Sequence, residues 1–209
     1  MSLSPRPSKI VCVGRNYAAH AAEHGAEVPT EPLLFFKPSS ALLDEGEPIV
    51  LPPQSSQVEY EGEIGVIIGR RARRITEDDA WDHVGAIVPL NDVTARDLQR
   101  KDSLWTRAKG FDTFCPVGRP VSLSEVRPEG LEVVTRVNGQ VRQRGAVADM
   151  VFKIPFLIAY ISAIMTLEPG DLLATGTPEG VGPLAAGDEV EVEIPGVGSI
   201  KNPVRSFQG

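Results

Sequence analysis

Twenty glycines and eighteen prolines punctuate these 209 residues, too often for long helices and often enough to join many short strands by turns. A hairpin is legible from Leu131 to Arg144, where Val133, Thr135 and Val137 alternate up to an Asn138-Gly139 turn. Further strands are expected at 9–13, 33–36, 58–68, 84–90, 171–174 and 189–194. Helices are fewer. The apolar run 151–167 reads as a buried helix that begins near Pro155, a residue tolerated in a first turn, and ends before Glu168-Pro169-Gly170-Asp171. Thr76 and Thr94 each stand three residues before an acid, Asp79 and Asp97, as at a helix N-terminus. Residues 40–57 read as surface loop. With no internal repeat, low-complexity tract or linker, the pattern predicts one domain over 1–209, α+β in class and mostly β.

Charge and composition exclude several classes of function. A net charge of -7 disfavours a nucleic-acid or anionic-membrane surface, so an anionic small molecule would need a local cluster of Arg and Lys. Cys12 and Cys115 have no paired spacing and read as two free thiols in a reducing cytoplasm. Met1 to Lys9 contains Pro5 and Pro7 without an apolar core, unlike a signal peptide. The run 151–167 carries Lys153 and Pro155 and is too short to span a bilayer comfortably.

The sharpest chemical feature is a triplet of carboxylates, Glu59, Glu61 and Glu63, leading into Ile64-Gly65-Val66-Ile67-Ile68. In a continuous strand, side chains two apart share a face at about 6.5 Å. Neighbouring charges at that spacing repel by roughly 2 kcal/mol at an effective dielectric near 20. Either the acids lie on the solvated face of an edge strand, or a hard divalent cation, Mg²⁺ or Mn²⁺, offsets the repulsion. Asp92 stands where the strand 84–90 meets the next helix and can complete a three-carboxylate site with Glu61 and Glu63; a turn or cap role is the alternative.

Other candidates surround this set. Lys109, among small and apolar residues, either pairs with an anion or snorkels to the surface. His20 and Glu23, three apart in an Ala-rich helical stretch, are neighbours on one face, where the carboxylate can orient the imidazole as a base; an incidental surface pair is the alternative. His24 reads as exposed. The run Thr175 to Gly182 offers glycine N–H groups and Thr hydroxyls to an anion, or is simply a tight crossover.

In order along the chain, Gly14-Arg15-Asn16-Tyr17 with His20 and Glu23, Phe36-Lys37-Pro38-Ser39, Glu61-Gly62-Glu63, Asn91 to Asp97, Trp105 to Lys109 and Thr175 to Gly182 resemble the fumarylacetoacetate hydrolase family. The likeness is closest to its short acylpyruvate hydrolase and oxaloacetate decarboxylase type. The resemblance implies a mixed β-sandwich roll like that family's C-terminal domain, a homodimer, and Mg²⁺ or Mn²⁺ held by Glu61, Glu63 and Asp92. It assigns catalysis to Lys109, His20 and Glu23, the last two on a lid within residues 1–40, and substrate contacts to Arg15, Tyr17, Arg96, Gln99 and Thr177. Arg15 and Arg96 can equally be structural ion pairs, and Glu59 falls outside the family pattern.

The implied reaction is metal-dependent C–C cleavage of a small 2-oxo acid, acylpyruvate hydrolysis or oxaloacetate decarboxylation, in which pyruvate leaves as its enolate. Within the family, isomerisation or decarboxylation of 2-hydroxyhepta-2,4-diene-1,7-dioate is a rival. Outside catalysis, a metal-binding relative without turnover is another. The resemblance covers only the catalytic domain, so the separate N-terminal domain of the longer hydrolases is not expected.

Overall fold

A computed structural model describes residues 6–23 and 25–208. Its centre is a six-stranded sheet in which Val121–Ser122, Val84–Asn91, Gly62–Ile68, Leu172–Ala174, Ile10–Gly14 and Leu33–Lys37 succeed one another across the sheet. Apolar residues run without a polar alternation through its middle strands because both faces are covered. One face, with Val11, Val13, Ile64, Val66 and Leu173, packs on the helix Ile154–Ile164 and on Val133, Val192 and Ile200 of a second sheet. The other, with Ile10, Cys12, Val88, Leu90 and Leu172, packs on Ala41, Cys115 and Val117.

The second sheet orders Gln140–Ala146, Glu132–Val137, Glu189–Ile194, Gly198–Ser206 and Ile49–Leu51. Its first two strands form the expected hairpin, turned by Asn138 and Gly139 at φ 53° and 77°, the left-handed pair such a tight turn demands. The architecture is α+β and mostly β, as expected. The helix expected near Pro155 spans Ile154–Ile164 and buries Leu157, Ile158 and Ile161. No helix among the described residues is long and apolar enough to cross a membrane. Both cysteines are free and buried.

Four local expectations are corrected. The continuous strand 58–68 is two strands, Val58–Tyr60 and Gly62–Ile68, and Val58–Tyr60 lies in a separate three-stranded sheet with Gly182–Pro183 and Thr94–Ala95. Residues 40–57 are not all surface loop, since Ile49–Leu51 is a strand paired with Val204–Ser206 and Ala41 and Ile49 are fully buried. Thr94 does not cap a helix: it lies in a short strand, donates its hydroxyl to the Asp92 carbonyl at 2.8 Å, and the helix Arg96–Lys101 starts after it. Thr76 bonds Asp79 at 2.6 Å, but the segment it leads into, Ala80–His83, is only a short 3-10 turn.

Asp171 ties the start of the first strand to the turn before Leu172. Its buried carboxylate accepts from Ser8 Oγ at 2.5 Å, Glu168 N at 2.7 Å and the Lys9 ammonium. Burial opposes the charge, but these donors outweigh it and lower the pKa from its ordinary 3.8. An acid held low when folded binds more protons unfolded, so its stabilisation is complete above pH 3.8 and is lost as pH falls through the folded value. Urea midpoints should therefore drop on acidification in the wild type, and less steeply in Asp171→Asn; parallel curves would refute this role.

Candidate active site and metal centre

The break at Glu61 builds the site. There the chain leaves the three-stranded sheet for the six-stranded one, so the strand that carries Glu59 and the strand that carries Glu63 meet at Glu61. Glu61 N–H donates to Asn91 Oδ1 at 2.9 Å and Asp92 N–H to the Glu61 carbonyl at 2.8 Å, which stitches the two acid-bearing segments together. Oxygens of Glu61, Glu63 and Asp92 come within 4.8 Å of one another, and all three residues are buried.

Glu59 stands behind the group, also buried, and receives Arg96 Nε at 2.7 Å and Gln57 Nε2 at 2.6 Å. The other Arg96 nitrogens reach Glu61 and Gln99. Of the two roles open to Arg96, the structure shows the ion pair.

Lys109 is buried rather than snorkelling. Its Nζ donates to Glu61 Oε2 at 2.7 Å and Asp92 Oδ2 at 2.6 Å, and lies 4.9 Å from the centre of the Phe35 ring. Lys37, to which the sequence alone gave no role, is fully buried on the far side of Asp92 and donates to Oδ1 at 2.6 Å and to the Val93 carbonyl at 3.0 Å. In the sequence it stands at the end of an apolar strand, inside the Phe36-Lys37-Pro38-Ser39 segment of the family resemblance but with no role attached.

Opposed fields act on neighbouring acids. Burial disfavours the Glu61 charge, but the Lys109 and Arg96 cations outweigh burial and hold its carboxyl below the usual range. Burial, then the Asp92 and Glu61 charges, push the Glu63 carboxyl well above it. Burial opposes the Lys109 charge, yet Asp92 and Glu61 raise its pKa and keep the ammonium. A buried, all-oxygen donor set with one acid short of compensating charge fits a hard divalent cation such as Mg²⁺ or Mn²⁺.

The loop after Leu172–Ala174 closes the far wall. Gly176 adopts φ 99°, and a Cβ there would lie 2.7 Å from that of Asn16; its N–H donates to Glu63 Oε2 at 2.7 Å. Backbone N–H groups therefore do meet anions here, but those of the protein itself. Thr175 and Thr177 hydroxyls are not free donors, since they donate to the Ile64 and Gly62 carbonyls at 2.8 Å each. Gln143, which sequence reasoning missed, donates to Thr177 Oγ1 at 2.8 Å and fixes the loop.

A cavity of about 300 Å³ opens over this floor, lined by Arg15, His20, Glu61, Glu63, Asp92, Arg96, Gln99, Arg100, Lys109 and Thr177, with Phe35 and Trp105 as apolar wall. His20 is buried on the helix Ala18–Glu23, with Nδ1 3.5 Å from Glu23 Oε2. Glu23 also accepts the Gly180 N–H at 3.2 Å, which joins this helix to the closing loop. Tyr17 is not brought to the cavity; it packs in the main core and lines a separate hollow with Arg144, Asp149 and Glu179. His24 lies outside the described residues.

A buried acid cluster crossed by a lysine, with His20 lining the same cavity, is the candidate active site. The chain belongs to the fumarylacetoacetate hydrolase family: the family's C-terminal-domain profile matches residues 9–205. It is 45% identical over 199 residues to the mitochondrial oxaloacetate tautomerase of Arabidopsis thaliana, covering 93% of this chain and 89% of the relative. The fumarylpyruvate hydrolase of Pseudomonas aeruginosa, solved with Mn²⁺ and pyruvate, superposes with a TM-score of 0.92 at 33% identity, over 96% of this chain and 91% of that one. The 2-hydroxyhepta-2,4-diene-1,7-dioate isomerase of Mycobacterium marinum gives 0.89 at 43% identity, over 98% and 77%.

Proposed function

We propose that this chain acts on a small 2-oxo acid through its enol or enolate, and that its principal reaction is enol–keto interconversion of oxaloacetate. The observation that carries this reading is His20, backed by Glu23, lining the same small cavity as the Glu61, Glu63, Asp92 and Lys109 cluster. The 45% identity to an oxaloacetate tautomerase favours tautomerisation, a reaction the sequence alone did not suggest. Mg²⁺ or Mn²⁺ held by Glu61, Glu63 and Asp92 would polarise the 2-oxo group as a Lewis acid.

The chain's own residues do the rest. His20, kept in one orientation by Glu23, moves a proton to or from C3, while Lys109 stabilises the negative charge that grows on the adjacent oxygen. The net change is transfer of the enol O–H proton to carbon. The helix Ala18–Glu23 acts as the lid, within a single catalytic domain over 1–209, and Phe35 and Trp105 keep water from the reacting carbon. The protein works as a cytoplasmic homodimer, which sedimentation and fractionation check.

A second reading is C–C cleavage of acylpyruvates, with oxaloacetate decarboxylation beside it, favoured by the likeness to a fumarylpyruvate hydrolase. The same groups serve: with water as co-reactant, His20 takes a proton from the attacking water instead of from C3. Following loss of the oxaloacetate enol and release of pyruvate in parallel, with Mg²⁺, Mn²⁺ or EDTA, separates the two. Metal-dependent enol loss without pyruvate supports tautomerisation, pyruvate from acetylpyruvate supports cleavage, and neither would overturn the assignment.

A further inference from the structure

The floor of the cavity spends its cations on its own acids. Lys37 is taken by Asp92, Lys109 by Glu61 and Asp92, and Arg96 by Glu59, Glu61 and Gln99. Arg15 and Arg100 are different. Both line the same cavity and both are exposed. Arg15 makes no hydrogen bond or ion pair among the described residues, and Arg100 is engaged by a single neutral acceptor, Gln57 Oε1 at 3.2 Å.

Local structure explains their placement. Arg100 comes four residues after Arg96 and one after Gln99 on the helix Arg96–Lys101, so Arg96 and Arg100 share the face turned to the cavity. Arg15 leaves the end of the strand Ile10–Gly14 at φ 57°, a left-handed turn that starts the chain toward the helix Ala18–Glu23. The cavity therefore has an acidic floor and a basic mouth, with the rings of Phe35 and Trp105, 5.3 Å apart, along its wall.

We propose that Arg100, assisted by Arg15, is the specificity element that selects 2-oxo acids carrying a second carboxylate at the far end. The inference rests on the 2-oxo acid reading and assigns the residues that would hold the second carboxylate of a substrate such as oxaloacetate. With the 2-oxo end at the floor, the distal end points to the mouth, where only these two guanidiniums keep N–H groups for a carboxylate. Guanidinium donors match a carboxylate two at a time, so a terminal carboxylate gains what a terminal methyl cannot. An anchoring role like that expected of Arg96 suits Arg100, which makes no ion pair among the described residues.

The test uses two five-carbon acids that do not require turnover, 2-oxoglutarate and 2-oxopentanoate, which differ only in a terminal carboxylate against a methyl. Each is titrated by calorimetry into Mn²⁺-supplemented wild type, Arg100→Gln, Arg15→Gln and the double variant. Wild type should prefer the dicarboxylate by about tenfold or more, and the preference should shrink in each single variant and vanish in the double. Because both arginines are exposed, melting curves should coincide with wild type. A wild-type preference near one, or one undiminished in Arg100→Gln, overturns this inference while leaving the 2-oxo acid reading standing. Failure of both acids to bind overturns both.

Discussion

Asp92→Ala is expected to destabilise the metal-free protein by about 3–5 kcal/mol, because it leaves two buried ammonium groups without their shared counter-ion. Lys37 and Lys109 each donate to a different oxygen of this carboxylate at 2.6 Å, and both side chains are buried. Lys109 keeps Glu61, so Lys37, left with the Val93 carbonyl alone, bears most of the loss. Urea denaturation in EDTA measures the effect. Substituting Lys37→Met on top of Asp92→Ala should recover part of the stability, since the buried charge goes with its partner. A loss under about 1 kcal/mol for Asp92→Ala would mean the ion pairs do not hold this part of the core.

His20→Ala should lower kcat by about 10²–10⁴ while leaving Mn²⁺ affinity within about twofold, the pattern for a proton-transfer group that does not touch the metal. Glu23→Gln should cost less, about tenfold, since an amide still bonds the ring and still accepts from Gly180 N–H. Steady-state kinetics paired with Mn²⁺ titration separates the two roles. Loss of metal binding in His20→Ala, or wild-type kcat, would remove His20 from the chemistry.

Much of the site was legible because its chemistry is local in sequence. Glu61 and Glu63 flank one glycine, His20 and Glu23 lie one turn apart, and Asp92 stands at the end of a strand that pairs with Gly62–Ile68. The features that escaped depended on partners far along the chain. The two-residue spacing of Glu59, Glu61 and Glu63 suggested one shared face, and one Arg96 guanidinium does bridge Glu59 and Glu61 although the sheet changes at Glu61. Glu59 meets Arg96, 37 residues away, and stands outside the three-acid cluster.

Gln143 has no local signature and Lys37, though inside a motif of the family resemblance, had no role there; each becomes meaningful only once folding places it beside Thr177 or Asp92. The strand Gly198–Ser206 was missed because Lys201, Asn202 and Pro203 interrupt its apolar alternation, although Ile200 and Val204 are buried as alternation requires. Ile49–Leu51 was hidden for a related reason. Its three residues are too few to show a period and become a strand only by pairing with Val204–Ser206. Tyr17 illustrates the converse: a residue inside a site motif whose ring serves packing, with Gly145 beneath it.

The central claim is that one hard cation sits among Glu61, Glu63 and Asp92 within reach of His20. Anomalous diffraction from crystals soaked in Mn²⁺ tests it most directly. The account predicts a single strong peak bounded by those three carboxylates and opening on the cavity that His20 lines. A peak elsewhere, or none at this cluster with Mn²⁺ in excess, would contradict it.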